Sequence, residues 1–154
     1  MPTSSGCKRQ PERRVYLIDT NVISEARKQA RADPGVIDFL RAAAEHGDAL
    51  YISVVSVGEL RRGVDLLRYR GDADQAQRLD TWLSAVIDDY GENILPFDID
   101  AAQVWGRLRV PNPQHELDKQ IAATALVNNL TVVTRNIAHF HSAGVPVRNP
   151  FTIV

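Results

Sequence analysis

The first candidate for chemistry is an aspartate that directly follows four apolar residues. The segment VYLIDTN places Asp19 at the end of a predicted core strand, where the chain turns into a helix. Aspartate is a favoured N-cap residue, so Asp19 could serve only to start that helix. The other interpretation is a metal ligand, which requires further acids at the same place.

Two more acids are expected near the same end of the sheet. Glu59 lies in the second turn of the helix that leaves a second strand, and Asp118 lies in the first turn of the helix that leads into another strand. Ligands of open parallel sheets bind outside the carboxyl ends of the strands. Each acid also has a structural explanation: Glu59 could face solvent, and Asp118 could complement its helix dipole.

Carboxylates that meet at one crevice repel one another and raise one another's pKa unless a cation joins them. Carboxylate and water ligands suit Mg²⁺ or Mn²⁺. The sequence has no His/Cys cluster for zinc, no glycine-rich phosphate loop and no nucleophile elbow. A divalent-metal site is therefore the chemical interpretation of the three acids, and capping or solvation is the structural one.

Predicted strands alternate with predicted helices along the chain. The strands are expected at residues 15–18, 50–53, 94–97 and 130–134, with a short last strand in VPVRNPFTIV. Helices are expected from about Thr20, over 34–46, after Ser53, over 72–89, after Asp98 and over 115–129. The helix over 34–46 has the start signals Asp33 and Pro34 and the stop signal Gly47. This order predicts an α/β sandwich with a mostly parallel central β-sheet flanked by helices.

Apolar spacing indicates which helix faces are buried. Residues Val57, Leu60, Val64 and Leu67 recur at helical intervals, and so do Leu79, Trp82, Leu83, Val86 and Ile87. The small-residue run IAATA after Asp118 would let its helix approach the sheet closely.

Composition limits the class of protein. The chain has 154 residues, 44% of them hydrophobic, which fits one domain of ordinary size, predicted over 15–154 after a polar tail over 1–14. The formal charge of −1 does not mark the whole molecule as a polyanion binder, and the single cysteine, Cys7, excludes a disulfide framework and fits a cytoplasmic protein. No apolar run approaches the roughly 18 residues of a membrane span.

Four segments carry a resemblance to a known family. YLIDTNVISEARK, ISVVSVGELRRGVDLL, LDKQIAATALVNNLTVVTRNIAHF and GVPVRNPF resemble the PIN-domain nucleases, specifically the VapC-type toxins of bacterial type II toxin–antitoxin systems and their FitB-like branch. The similarity runs in order from Val15 to Phe151. It implies a PIN-domain sandwich, an acidic pocket that binds Mg²⁺ or Mn²⁺, and metal-assisted hydrolysis of RNA.

The resemblance also implies roles for individual residues. Asp19 and Asp118 would be direct metal ligands, and Glu59 would bind the metal or orient its water. Polar groups that would support this acidic set are Thr20, Asn21, Thr134 and Asn136, with Asn136 counted in the catalytic set.

His139 is a departure from the family pattern. Many members carry a fourth acid just before the phenylalanine of the segment TRNIAHF, where this chain has His139. A neutral imidazole adds no negative charge, so the resemblance predicts one bound ion in place of two and a preference for Mn²⁺ over Mg²⁺. The alternative is that His139 points outward and Asn136 completes the site.

Arginines near the acids are candidates for holding an RNA backbone. Arg61 and Arg62 follow Glu59 closely, and Arg135 follows the strand that ends at Thr134. Phosphate contacts of this kind would make binding depend strongly on salt. Further candidates are Arg68, Arg70, Arg107 and Arg109. The alternative for each of these arginines is a solvated helix face.

The resemblance further implies partners. A cognate VapB- or FitA-like antitoxin would lie against the helices of residues 54–89, where Leu66, Leu67 and Tyr69 are available, and would reach a basic side chain toward the acids. The toxin would form a homodimer and would contact operator DNA only through the antitoxin. Two alternatives stay open: an inactive PIN-fold binding module that acts through the antitoxin on operator DNA, and a PIN-type nuclease for structured DNA.

Overall fold

The computed structural model describes residues 13–152, in which strands and helices alternate. The strands are β1 (Val15–Ile18), β2 (Ala49–Ser53), β3 (Ile94–Leu95), β4 (Thr131–Val133) and β5 (Val147–Arg148). The helices are α1 (Thr20–Ala26), α2 (Pro34–His46), α3 (Val54–Tyr69), α4 (Ala73–Tyr90), α5 (Ile99–Leu108), α6 (Glu116–Val127) and α7 (Ile137–His141). Short 3₁₀ turns occupy Gln29–Arg31 and Gly91–Asn93.

The five strands form one sheet in the order β3-β2-β1-β4-β5, and every neighbouring pair is parallel. Strand β1 is central, with Tyr16 paired to Leu50 of β2 on one side and to Thr131 of β4 on the other. Because the strands are parallel, the residues that follow β1, β2 and β4 all emerge at one edge. The predicted α/β sandwich is confirmed.

Two apolar layers cover the two faces of the sheet. Ile18 of β1 packs with Val22 of α1 and Val36 of α2 on one face. Leu17 of β1 packs with Ile121 and its neighbours in α6 on the other face. The alternation of Leu17 and Ile18 follows from the two-residue period of a strand, so β1 is buried on both faces.

Helix α6 is held against the sheet by the small-residue run. Every residue from Ile121 to Ala125 is 0% exposed, and the alanines contribute little bulk between helix and strands. The close approach predicted from IAATA is therefore confirmed, and it fixes the first turn of α6, which carries Asp118, at the carboxyl edge of the sheet.

Local capping explains most helix boundaries. The Asp33 carboxylate accepts a hydrogen bond from Gly35 N at 2.8 Å, and Gly47 ends α2 in the left-handed conformation at φ 69°. Ser53 Oγ accepts from Val55 N at 3.0 Å and caps α3. These start and stop signals were all predicted from sequence.

Three sequence expectations require correction. The predicted strand over 94–97 is only Ile94–Leu95, because Pro96 has no N–H to donate to a ladder. Ile87, predicted on the buried stripe of α4, is 36% exposed, so the buried stripe of α4 is narrower than predicted. Helix α7 was not predicted, since five residues are too few to show a helical apolar period.

The predicted tail over 1–14 lies mostly outside the described residues, which begin at Arg13. Arg14 belongs to the domain, because Arg14 N donates to Asp48 Oδ1 at 3.0 Å and Ala49 N donates to Arg14 O at 2.9 Å. Within residues 13–152, no helix combines the length and apolar character needed to cross a bilayer.

Candidate active site

Asp19 is a buried acid at the junction of β1 and α1, with 3% of its surface exposed. Its Oδ1 accepts a hydrogen bond from Thr20 N at 2.8 Å, so the capping role is real. Its Oδ2 accepts from Thr134 Oγ1 at 2.8 Å and from Asn21 Nδ2 at 3.2 Å. Helix capping therefore accounts for the hydrogen bond to Oδ1. The hydrogen bonds from Thr134 and Asn21 to Oδ2 are not part of a helix cap.

The electrostatic setting of Asp19 is unfavourable for a carboxylate. Burial raises the pKa of Asp19 to about 6, hydrogen bonds from Thr134 and Thr20 oppose the rise, and the charges of Asp118 and Glu59 add to it. Among residues 13–152, no ion pair with a lysine or arginine involves Asp19 or Glu59. The molecule thus confines negative charge here without a basic side chain to neutralise it.

Glu59 reaches the same crevice from α3. Its Oε1 accepts a hydrogen bond from Thr20 Oγ1 at 3.0 Å, and Thr20 Oγ1 shares a second hydrogen bond with Ser56 Oγ at 2.8 Å. Burial raises the pKa of Glu59, the Thr20 hydrogen bond lowers it, and the charge of Asp118 raises it. Thr20 is thus the bridge between Asp19 and Glu59, through its N–H on one side and its hydroxyl on the other.

Ser56 was missed by the sequence analysis although it is 0% exposed and bonded to Thr20. The available signal was its spacing, because a residue three positions before Glu59 lies on the same side of a helix.

Asp118 enters from the first turn of α6, as predicted. Its Oδ2 lies 2.7 Å from Nδ1 of His139 in α7. Its charge raises the pKa of both Asp19 and Glu59, so the three predicted acids interact electrostatically. The three do not form a single tight ligand group, however: within the described residues, the group of three metal-ligating side chains whose donor atoms lie within 4.8 Å of one another is His115, Asp118 and His139.

A second layer of polar groups holds the edge of the sheet together. Asn21 Oδ1 accepts from Arg135 N at 3.3 Å, while its Nδ2 lies 3.4 Å from Thr134 Oγ1. Thr134 Oγ1 in turn accepts from Asn136 N at 2.9 Å. Asn136 is exposed and reaches this network through its backbone, so its side chain is free to meet a ligand from the solvent side.

The match to a known family covers most of the described chain. The family model for the PIN domain matches residues 16–144. This chain belongs to the PIN-domain family. The toxin FitB of Neisseria gonorrhoeae is 34% identical over 144 residues, which is 89% of this chain and 99% of that protein. A VapC ribonuclease of Sinorhizobium fredii is 32% identical over 143 residues, with 89% and 98% covered.

A solved structure shares the fold of this PIN domain closely. The crystal structure of FitAcB from Neisseria gonorrhoeae aligns with a TM-score of 0.75 at 33% identity, over 88% of this chain and 97% of that chain. The all-parallel sheet and its flanking helices are therefore those of a PIN domain, and the crevice described above lies at the carboxyl edge of that sheet.

His139 of this PIN domain points into the crevice, where it bonds to Asp118. Its ring also stacks on His115, with centroids 3.7 Å apart and planes inclined by 23°. The outward orientation considered from sequence is not the one observed. His115 was missed by the sequence analysis, because the residue lies 24 positions before His139 and nothing local connects them.

The three arginines predicted to bind RNA differ in their surroundings. Arg61 pairs with Asp80 of α4 at 3.0 Å, and 43% of the Arg61 side chain is exposed. The guanidinium of Arg135 lies 3.9 Å from the ring centroid of Phe151. Arg62 is exposed one helical turn after Glu59. Arg62 is consequently the candidate with the fewest competing contacts, and an RNA role for all three stays a prediction.

Proposed function

We propose that this PIN domain is a divalent-metal-dependent endoribonuclease that acts in the cytoplasm as the toxin of a toxin–antitoxin pair. The observation that carries the proposal is Asp19, a buried carboxylate faced by Glu59 and Asp118 with no basic partner within the described residues. Support comes from relatives at 32% and 34% identity that are named as a ribonuclease and a toxin.

The donor atoms at the crevice fit Mg²⁺ or Mn²⁺. Asp19, Glu59 and Asp118 offer carboxylate oxygens, which are the ligands these ions prefer. Burial raises the pKa of Asp19, and the charges of Asp118 and Glu59 add to the rise; a bound cation would oppose both effects. When bound, the ion would supply a water of lowered pKa and would polarise the scissile phosphate.

The chain's own residues then have separate tasks in the proposed reaction. Thr134 and Asn21 hold Asp19 Oδ2, so the carboxylate cannot rotate away from the crevice. Thr20 orients Glu59 through its hydroxyl. Arg62 and Arg135 would contact phosphates of the RNA backbone.

An apolar groove supports an antitoxin as the partner. A cavity of about 250 Å³ runs between α1, α3 and α4. Its apolar lining includes Leu60, Leu79 and Trp82, and its charged lining consists of Glu59 and Arg27. Glu59 would attract a basic side chain from an antitoxin segment, and Arg27 would favour an acidic one beside it. The lining of this groove does not include the predicted Leu66, Leu67 and Tyr69, and Tyr69 is 89% exposed.

The solved neighbours favour the same partnership. The structure of FitAB bound to a DNA fragment aligns with a TM-score of 0.75 at 30% identity, over 91% of this chain and 97% of that chain. From the family resemblance we infer that the present chain homodimerises and meets operator DNA only through its antitoxin.

The test is RNA cleavage by the purified chain in Mg²⁺ or Mn²⁺, with and without chelator. Asp19→Asn preserves size and the Thr20 cap but removes the charge a dication needs, so cleavage should fall at least about a hundredfold. Asp38→Asn, an exposed acid on α2, is the matched control and should cut normally. Cleavage by Asp19→Asn at the control rate would refute the proposal.

The second candidate is a catalytically inactive module that acts through the antitoxin on DNA. His139 favours it, since an imidazole stands where the family pattern has an acid. This candidate predicts no metal-dependent cleavage by the wild type, together with antitoxin-dependent DNA binding that Asp19→Asn leaves intact.

A further inference from the structure

Two histidines and one aspartate form a compact group beside the acidic crevice. One ring nitrogen of His115, one of His139 and one carboxylate oxygen of Asp118 all lie within 4.8 Å of one another. His115 immediately precedes α6, Asp118 is three residues later, and His139 comes from α7, which packs against α6. The sequence alone indicated no His/Cys cluster for zinc, because the two histidines are 24 positions apart; the packing of α7 against α6 brings the three donors together.

The donor types differ from those of the oxygen-rich crevice. Imidazole nitrogens with a single carboxylate suit first-row transition metals such as Zn²⁺ and Co²⁺, whereas Mg²⁺ prefers oxygen ligands alone. Zinc bonds of 2.0–2.2 Å place neighbouring donors about 3.4 Å apart in a tetrahedral site. The three donors lie within 4.8 Å of one another, so a small movement of the side chains would bring them to this spacing.

The group is open to solvent, as an exchangeable metal site requires. The side chains of His139 and Asp118 are 35% and 21% exposed, and His115 is exposed. Lys119, the nearest basic residue along α6, does not pair with Asp118; its ammonium group donates a hydrogen bond to the carbonyl of Asn112. No cationic side chain in the described chain therefore pairs with Asp118 apart from His139 itself.

The imidazole of His115 has no other task in the described structure. His115 occupies the N-cap position of α6 at φ 57° and makes no side-chain capping hydrogen bond. Its ring instead lies flat against that of His139.

We propose that His115, Asp118 and His139 bind a transition-metal dication of the Zn²⁺ and Co²⁺ class, at a site separate from Asp19 and Glu59 that shares Asp118 with them. Because Asp118 is shared, a metal held by the two histidines withdraws one ligand from the oxygen site. Zn²⁺ should then inhibit Mg²⁺-dependent cleavage; this consequence rests on the proposed ribonuclease function, whereas the binding itself does not.

Metal binding by the purified full chain is the direct test. Titration with Co²⁺ should give visible d–d absorption, and calorimetry with Zn²⁺ should give one site per chain. His115→Asn tolerates the left-handed backbone and His139→Gln keeps a polar side chain, and each should weaken Zn²⁺ and Co²⁺ binding by about tenfold or more. His115→Asn should leave Mg²⁺ affinity unchanged.

The chain contains four histidines, so the other two provide controls. His46→Asn and His141→Asn should bind Zn²⁺ and Co²⁺ as the wild type does; His141 lies on the same helix as His139. Zn²⁺ should also raise the Tm of the wild type and of both controls but not that of His115→Asn, provided that all variants melt alike without metal. Equal binding by wild type and His115→Asn, or no binding by wild type, would overturn the site whether or not the chain cleaves RNA.

Discussion

The hydroxyl of Thr134, at the end of β4, donates a 2.8 Å hydrogen bond to the Asp19 carboxylate at the end of β1. The two residues are 115 positions apart in sequence, and both are buried. This contact joins the ends of two neighbouring strands and holds the central acid of the site in one orientation. It also opposes the effect of burial on the pKa of Asp19.

Replacing Thr134 by valine should therefore raise the pKa of Asp19 further. The valine keeps the volume but removes the donor to Asp19 and the acceptor for Asn136 N, at a cost of about 1–3 kcal/mol in stability. An NMR titration of the Asp19 carboxyl carbon and urea unfolding measure the two effects. Thr131→Val on the same strand is the control; a Thr134→Val protein with an unchanged Asp19 pKa would show that the hydrogen bond is unimportant.

The metal-free protein should lose stability as the pH rises through the titration of Asp19. Its pKa is raised from 3.8 to about 6, so the folded protein holds the proton more tightly than the unfolded chain. The stabilisation is fully present below about pH 4 and is lost by pH 7, and a shift of about two units corresponds to about 3 kcal/mol.

Asp19→Asn removes this titration. In a buffer that contains a chelator, the variant should be more stable than the wild type at pH 7, and this difference in stability should vanish near pH 4. Adding Mg²⁺ at pH 7 should stabilise the wild type alone. Urea unfolding of both proteins at pH 4 and pH 7 measures this difference. If the difference in unfolding free energy is the same at the two pH values, burial does not raise the pKa of Asp19.

Restoring an acid with His139→Asp should strengthen Mg²⁺ binding and raise cleavage at low metal concentration. The added carboxylate provides an oxygen ligand next to Asp118, and it removes an imidazole that favours softer ions. Calorimetric titration of both proteins with Mg²⁺ and Mn²⁺ measures the change. Identical affinities for the two proteins would exclude position 139 from the metal environment.

Deleting residues 1–12 should leave the Tm within about 2 °C of the wild type, because this segment carries no periodic apolar residues and precedes the first core strand. A deletion that extends through Arg14 removes its backbone bonds to Asp48 and Ala49 and should lower the Tm by about 3 °C or more. Scanning calorimetry of both truncations compares them. An equal loss in the two would show that residues 1–12 pack on the domain.

Local signals in the sequence were sufficient to predict most elements and the position of each acid along them. Asp33 with Pro34 and Gly47 marks the ends of α2 because capping involves only neighbouring residues. Asp19 is placed by the apolar strand before it, and a parallel sheet directs the ends of β1, β2 and β4 to one edge. The sequence therefore predicted that the candidate acids lie at one edge of the sheet.

Tertiary packing alone decided which side chains meet there. His115 and His139 stack because α7 packs against α6, and Thr20 meets Ser56 and Glu59 because α1 lies beside α3. These partners lie between 24 and 39 residues apart, beyond the reach of any cap or helical period. Contacts of this kind depend on how helices settle against the sheet, and that arrangement is determined by the whole apolar core and by no single segment.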